Sequence, residues 1–373
     1  MQTRLTDMLG CRYPIIQTAM GWVADAKLVA AATNAGGFGF LAGAVMTAQE
    51  VEQGILEIKA LTDGPFGVNF HMYMAQAPDI VDLCVKYGVR AVSYSRSPVP
   101  AMIEKLKAAG IVCIPTVGAT KHAVKAVTLG ADAVVVQGSE GGGHTGAVAS
   151  TILLPDVLAK VQVPVIAAGG YRDGRGLVAA LAMGADGIAM GTRFLMTAES
   201  PVPELTKANY TNAAPEQIQI STKLDGLPQR MINNPCLDKL NRTSTLGMWL
   251  LAVKNGLAFS RGANASLLSS LKSAWAISRT GDLSWAQTLM AANAPMMIQE
   301  AMVNGHPDQG ILPSGQVAGI ISDLPTVDAL ITSIVAEADQ AINGLAALTK
   351  LTALAESSAL SAAGPSTHNH TQD

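Results

Sequence analysis

The sequence predicts one α/β fold, a (β/α)8 TIM barrel carrying an inserted, mostly helical substrate or cap domain. Three observations point there. Short apolar runs recur eight times between residues 14 and 192, and helical spacing between them gives the alternation of a parallel sheet covered on both faces. Gly36, Gly88, Gly110, Gly130 and Gly184 stand where successive helical stretches should stop, the place where a chain commonly turns left-handed. No GxGxxG turn follows the first run, where residues 17–22 read QTAMGW, so an open dinucleotide-binding sheet is disfavoured against a closed barrel.

In chain order the runs occupy residues 14–17, 38–42, 66–69, 91–94, 112–115, 133–137, 165–168 and 187–190. Several are β-branched and nearly continuous, as strands buried on both faces should be. Stretches such as 100–109 (PAMIEKLKAA) and 120–129 (TKHAVKAVTL) carry helical spacing with one polar side. Gly130-Ala131-Asp132 recurs as Gly184-Ala185-Asp186, one helix-to-strand turn used twice. Asp173 reads as the N-cap of the seventh helix. The eighth helix is missing after Met190 and resumes within residues 314–345, beyond a long insertion. Residues 1–200 and 311–348 therefore form the barrel, and 201–310 the cap. Residues 349–373, rich in Ala, Ser and Thr, read as a flexible C-terminal tail in which His368 and His370 are solvated.

Composition narrows the function. With 49% apolar and 14% charged residues in 373, the chain is a core-former, and disorder is excluded for most of it. A net charge of -3 offers no global basic field, so nucleic acid is not an expected partner. The N-terminus lacks a basic flank followed by an apolar stretch. The apolar stretch 29–46 is broken by Thr33, Asn34 and four glycines, short of the ~20 residues of a membrane span. The expectation is a cytoplasmic protein without a membrane partner. Cys11, Cys84, Cys113 and Cys236 form no CxxC pair and read as indifferent thiols, and no metal ligand set is expected.

Barrel enzymes keep their chemistry at the C-terminal ends of the strands. Those ends hold no Lys for a Schiff base and no His-x-His for a metal, which disfavours an aldolase and a metallohydrolase. What remains is Gln17, Thr18 and Met20, then Asn69 and His71, Thr116 after the fifth strand, and Gln137 after the sixth. So few reactive groups imply that a cofactor carries the chemistry. Ala168-Gly169-Gly170 and Gly191-Thr192 follow the seventh and eighth strands, the loops from which barrels build phosphate sites, and their backbone N–H groups with the Thr192 hydroxyl suit phosphate oxygens. Residues 137–146 (QGSEGGGHTG) contain five glycines and deliver one imidazole, His144, a candidate acid/base. Glu140 is the sole carboxylate expected beside it and reads as a loop brace. His122 reads as structural, and His71 as a pocket-lining residue.

These segments together resemble the nitronate monooxygenase, or 2-nitropropane dioxygenase, family: residues 14–17 with Met20, 66–69, 137–146, 167–170 with 173–176, 190–194, and a return at 313–319. The family consists of FMN-binding barrels related to flavin-dependent enoyl-acyl-carrier-protein reductases. The resemblance implies that Thr18, Ala19 and Met20 line the flavin ring, that Asn69 and Gln137 hydrogen-bond its polar edge, and that Gly142 packs against it. It further implies that Ala168, Gly169, Gly170, Gly191 and Thr192 hold the phosphate end, and that His144 is catalytic. Two positions depart from the pattern. Thr18-Ala19 stands where many members have Gly-Gly, and Thr116 where some have a Lys near the flavin.

Two reactions fit such a site. One oxidises an alkyl nitronate through the flavin with oxygen as acceptor. The other exchanges hydride with an acyl-CoA or acyl-carrier thioester, with NAD(P)H as co-substrate. Residues 223–279 hold eight bases (Lys223, Arg230, Lys239, Arg242, Lys254, Arg261, Lys272, Arg279) against Asp225 and Asp238, a balance that either solvates helix faces or attracts the phosphates of coenzyme A or the acidic surface of a carrier protein. Trp249, Trp275 and Trp285 fall in the cap, where they read as core or as walls for a bulky alicyclic or acyl group, and the cap resembles that of family members acting on ring-fragment CoA thioesters in bacterial steroid catabolism. A small-molecule substrate is thus expected, with a homodimer as a candidate assembly. A non-catalytic flavin binder and a flavin-free phosphosugar isomerase are the remaining readings. The imidazole on its glycine loop opposes the first, and the lack of a paired carboxylate opposes the second.

Overall fold

The computed structural model describes residues 1–95, 98–244, 247–248, 250–251 and 293–362. Eight parallel strands close into a barrel: β1 (Ile15–Gln17), β2 (Phe38–Leu41), β3 (Gly67–Asn69), β4 (Ala91–Tyr94), β5 (Val112–Val117), β6 (Val134–Gln137), β8 (Val165–Ala168) and β9 (Gly187–Met190). β1 pairs with β9, Ile15 opposite Ile188 and Gln17 opposite Met190, and this pairing closes the sheet. Every predicted run became a strand. β5 continues to Val117, so Thr116 lies inside the strand, paired with Val135, and not after it as the sequence suggested.

The unbroken apolar runs follow from the two-residue alternation of strands with both faces buried. In β6, Val135 faces the lumen with Ala133 before it, while Val134 and Val136 face the helices; in β8, Ile166 and Ala168 face the lumen and Val165 and Ala167 the helices. The lumen is plugged from below by Leu5 and Leu9 of α1 (Arg4–Leu9) and filled by Phe38 and Phe40, whose rings meet edge-on at 5.1 Å. Toward the mouth it narrows to Ala168 and Ala189, with Ala19 packed beside them.

The five glycines expected at helix ends all adopt positive φ, and Asp173 caps its helix by accepting from the Gly176 N–H at 2.9 Å. The helix ring is completed from beyond the insertion by α13 (Val327–Ala362), which packs against α8 (Gly174–Ala182) and α2 (Ala26–Asn34). The fit is close: a Cβ on Gly174 would sit 2.3 Å from Ala338 N and Ile334 O. α13 extends past Thr349 to Ala362, into the segment expected to be flexible, because its Ala- and Leu-rich sequence favours helix.

The described part of the insertion is not helix alone. It holds α10 (Glu204–Thr211), α11 (Pro235–Arg242) and α12 (Asn293–Met302), together with an antiparallel ribbon of β10 (Ile218–Ser221) and β11 (Gln229–Ile232). β11 pairs in turn with β7 (Gly143–His144), Gln229 opposite His144, so the insertion joins the sixth barrel loop through main-chain hydrogen bonds. A small core of Leu224, Met231, Leu237, Leu240, Met248 and Ile311 holds the ribbon on its helices. Trp249, Trp275, Trp285, Lys254, Arg261, Lys272 and Arg279 lie outside the described residues.

Candidate active site

The two glycine turns meet at one end of the mouth. Gly169 and Gly170 have φ of 97° and 83°, a conformation that turns successive N–H groups outward and is costly for any residue with a Cβ. At the neighbouring turn, a Cβ on Gly191 would lie 3.3 Å from Thr18 Cγ2 and 3.4 Å from Met20 Sδ, while Thr18 N–H donates to Met190 O. Thr18, Met20, Gly191 and Thr192 therefore share one corner. Among the described residues, no acceptor is found for the N–H groups of Gly169, Gly170, Gly191 and Thr192. Thr192 Oγ1 accepts from Gly315 N–H at 2.9 Å, which leaves its own hydrogen to donate.

The glycine loop is held from several sides. Gln137 Nε2 donates to His144 O at 2.9 Å, Arg230 Nη2 to Ser139 O at 2.9 Å, and Thr145 Oγ1 to Ser139 O at 3.1 Å. Glu140 accepts from Ser150 N–H and Oγ and so braces the loop, as the sequence suggested. Gly142 touches the returning segment: a Cβ there would fall 2.4 Å from Gly315 N and 2.5 Å from Ser314 C. Gln316 N–H donates to Glu140 O across the same junction. Only a bare backbone lets the chain pass. Burial lowers the pKa of the Arg230 guanidinium, and its hydrogen bonds to Ser139 O and Ile218 O make it a structural base in place of a surface one.

His144 projects from β7 with 52% of its side chain exposed, and its Nε2 lies 2.7 Å from Asp225 Oδ2. Gln229 Nε2 donates to the same oxygen at 2.7 Å, and Leu227 N–H donates to Oδ1 at 3.1 Å. Burial alone pushes the Asp225 carboxyl up, but its hydrogen bond and charge interaction with His144, with help from Leu227 and Gln229, hold it below the ordinary carboxylate value. The expectation of no carboxylate beside His144 other than Glu140 is thus corrected. Asp225 comes from the insertion, 81 residues along the chain. A signal for it existed: Asp225-Gly226 between two short strands is a hairpin signature, and Gly226 has φ of 82°.

Around the rest of the mouth, Asn69 Nδ2 donates to Ser93 O and Oγ, which fixes the amide and leaves Oδ1 as its accepting end. Gln17 is fully buried below Thr18, with Oε1 lacking a partner among the described residues. His71 Nδ1 lies 3.2 Å from Ser95 Oγ, and its ring stacks on Tyr73 at 5.2 Å. His122 is exposed in the first turn of α6 (Thr120–Thr128). The structure thus gathers Thr18, Met20, the turns at 169–170 and 191–192, and the 137–146 loop under the 313–316 segment. Asn69 and Thr116 stand on β3 and β5, farther round the barrel.

The sequence model of nitronate monooxygenase matches residues 2–84 and 71–337. The chain belongs to the nitronate monooxygenase family. It is 47% identical over 93% of its length, and 99% of the relative's, to a (3aS,4S,5R,7aS)-5-hydroxy-7a-methyl-1-oxo-octahydro-1H-indene-4-carboxyl-CoA dehydrogenase of Rhodococcus jostii. Among solved structures it is similar to FabK of Thermotoga maritima, with a TM-score of 0.76 and 29% identity over 93% of this chain and 99% of that one. It is also similar to a nitroalkane oxidase of Streptomyces ansochromogenes, with a TM-score of 0.73 and 26% identity over 91% and 99% of the two chains. The protein is therefore an oxidoreductase of a flavin-dependent barrel family. Among the described residues no helix is long and apolar enough to cross a membrane.

Proposed function

We propose that the protein is an FMN-dependent dehydrogenase of alicyclic CoA thioesters, with a nicotinamide as co-substrate. The observation that carries this reading is the end-to-end likeness to the indene-carboxyl-CoA dehydrogenase, which spans the insertion as well as the barrel. The residues present fit FMN: donors without acceptors among the described residues at Gly169, Gly170, Gly191 and Thr192 for the phosphate, small side chains at Ala19 and Ala168 for the ring, and the accepting end of Asn69 for its polar edge. When bound, the flavin supplies a two-electron acceptor, and the proton that leaves with the hydride needs a separate base. His144 is the exposed imidazole held at the mouth for that proton.

A second reading, oxidation of an alkyl nitronate with oxygen, is supported by the family model and by the likeness to the nitroalkane oxidase. Anaerobic mixing separates the two. The FMN-loaded protein is expected to lose its flavin colour on mixing with an alicyclic acyl-CoA or NADPH, and to keep it with propyl-2-nitronate. Bleaching by the nitronate alone would replace the first reading with the second. Protein that gains no flavin absorbance with added FMN would remove both.

A further inference from the structure

From the ribbon that carries the insertion into the mouth, we infer that Asp225 is a positioning residue that holds His144 in a single tautomer, Nε2–H, with Nδ1 as the proton-accepting atom. The inference deepens the dehydrogenase reading and rests on it for the role of the imidazole in turnover. A neutral imidazole has one N–H and one bare nitrogen, and which is which follows from its partners. At Nε2 the partner is a carboxylate oxygen at 2.7 Å, which accepts only. The other polar group there, Gln229 Nε2 at 3.3 Å, carries two hydrogens and gives one to the same oxygen, and its longer contact does not offset the acceptor at 2.7 Å. Nε2 must therefore present its hydrogen. Among the described residues Nδ1 has no partner, and the ring is half exposed.

The carboxylate is in turn fixed. Asp225 is 5% exposed, its Oδ1 accepts from Leu227 N–H at 3.1 Å, and Gly226 N–H donates to Thr222 O in the turn that carries it. Gln229 sits on the strand directly opposite His144, so ladder and side chains register the same pair. The imidazole is thus delivered by the barrel and aimed by the insertion. Removal of Asp225 frees both the ring plane and the choice of tautomer.

The test is nitrogen NMR on protein labelled with 15N-histidine, read with and without FMN, together with steady-state kinetics. Wild-type His144 is expected to show the Nε2–H pattern at a pH where the ring is neutral. A Nδ1–H pattern in the wild type overturns the proposal, and needs no variant that must fold. In Asp225→Asn the pattern is expected to become a mixture, with kcat down roughly 10- to 100-fold, the scale of an orienting group lost behind a reacting one, and with FMN content and KM unchanged. Gln229→Met leaves the His144–Asp225 pair in place and is expected to retain the wild-type pattern. An unchanged tautomer in Asp225→Asn overturns the proposal. A changed tautomer with unchanged turnover supports the positioning and removes His144 from the reaction, which is the distinct failure of the functional reading.

Discussion

Replacing Gly142 by Ala tests whether the glycine loop and the returning 314–316 segment are one packed junction. The added methyl would meet two backbone atoms, Gly315 N at 2.4 Å and Ser314 C at 2.5 Å. Backbone cannot swing aside like the end of a side chain, so one segment must move by about an ångström, which for overpacking costs roughly 1–3 kcal/mol. Two hydrogen bonds depend on the present spacing: Gly315 N–H to Thr192 Oγ1 and Gln316 N–H to Glu140 O, both 2.9 Å. Their loss adds about 1 kcal/mol each. The total of roughly 3–5 kcal/mol is a large share of the 5–15 kcal/mol typical of a folded domain. Urea titration followed by circular dichroism reads the stability, and flavin fluorescence reads FMN affinity, which should weaken as Thr192 loses its partner. A Gly142→Ala protein with wild-type midpoint and wild-type FMN affinity would refute the junction.

Three further outcomes follow from the same contacts. His144→Asn should keep FMN and lose turnover on the order of 10²–10⁴, the usual worth of an acid/base group; equal rates in stopped-flow reduction would exclude it from the chemistry. Thr192→Ala removes the hydroxyl proposed to donate to the phosphate and leaves Gly315 N–H without that acceptor, so FMN affinity by fluorescence titration should fall roughly ten- to a hundredfold; an unchanged Kd would detach the hydroxyl from the phosphate. The Asp225 carboxyl is held below its ordinary value of 3.8, so its contribution is full above that pH and is lost as pH falls through the lowered folded value. Asp225→Asn should therefore flatten the acid limb of a stability-against-pH curve, and a parallel curve would show that the carboxylate is not linked to folding.

The barrel was legible because its signals are local. Runs buried on both faces must be apolar throughout, helix ends that turn left-handed call for glycine, and Asp173 caps its own helix three residues on. The two glycine turns were legible for the same reason, since each is a short glycine peptide at a known strand end. Thr116 was misplaced by one step because a strand end depends on what the neighbouring strand pairs with, and β6 reaches past Pro115 to hold it. The insertion was read as mostly helical, and its ribbon was missed because four-residue strands carry little periodicity.

By itself, then, the sequence determined the eight-stranded barrel, the glycine turns, the loop that bears His144 and the family to which they belong. The tertiary structure alone decided what His144 faces. Asp225 and Gln229 lie more than eighty residues away, and nothing in their local spacing marks a carboxylate aimed at an imidazole. That relation exists only once β11 has paired with β7 and set Gln229 opposite His144, because a long-range contact is a property of register between segments and not of either segment.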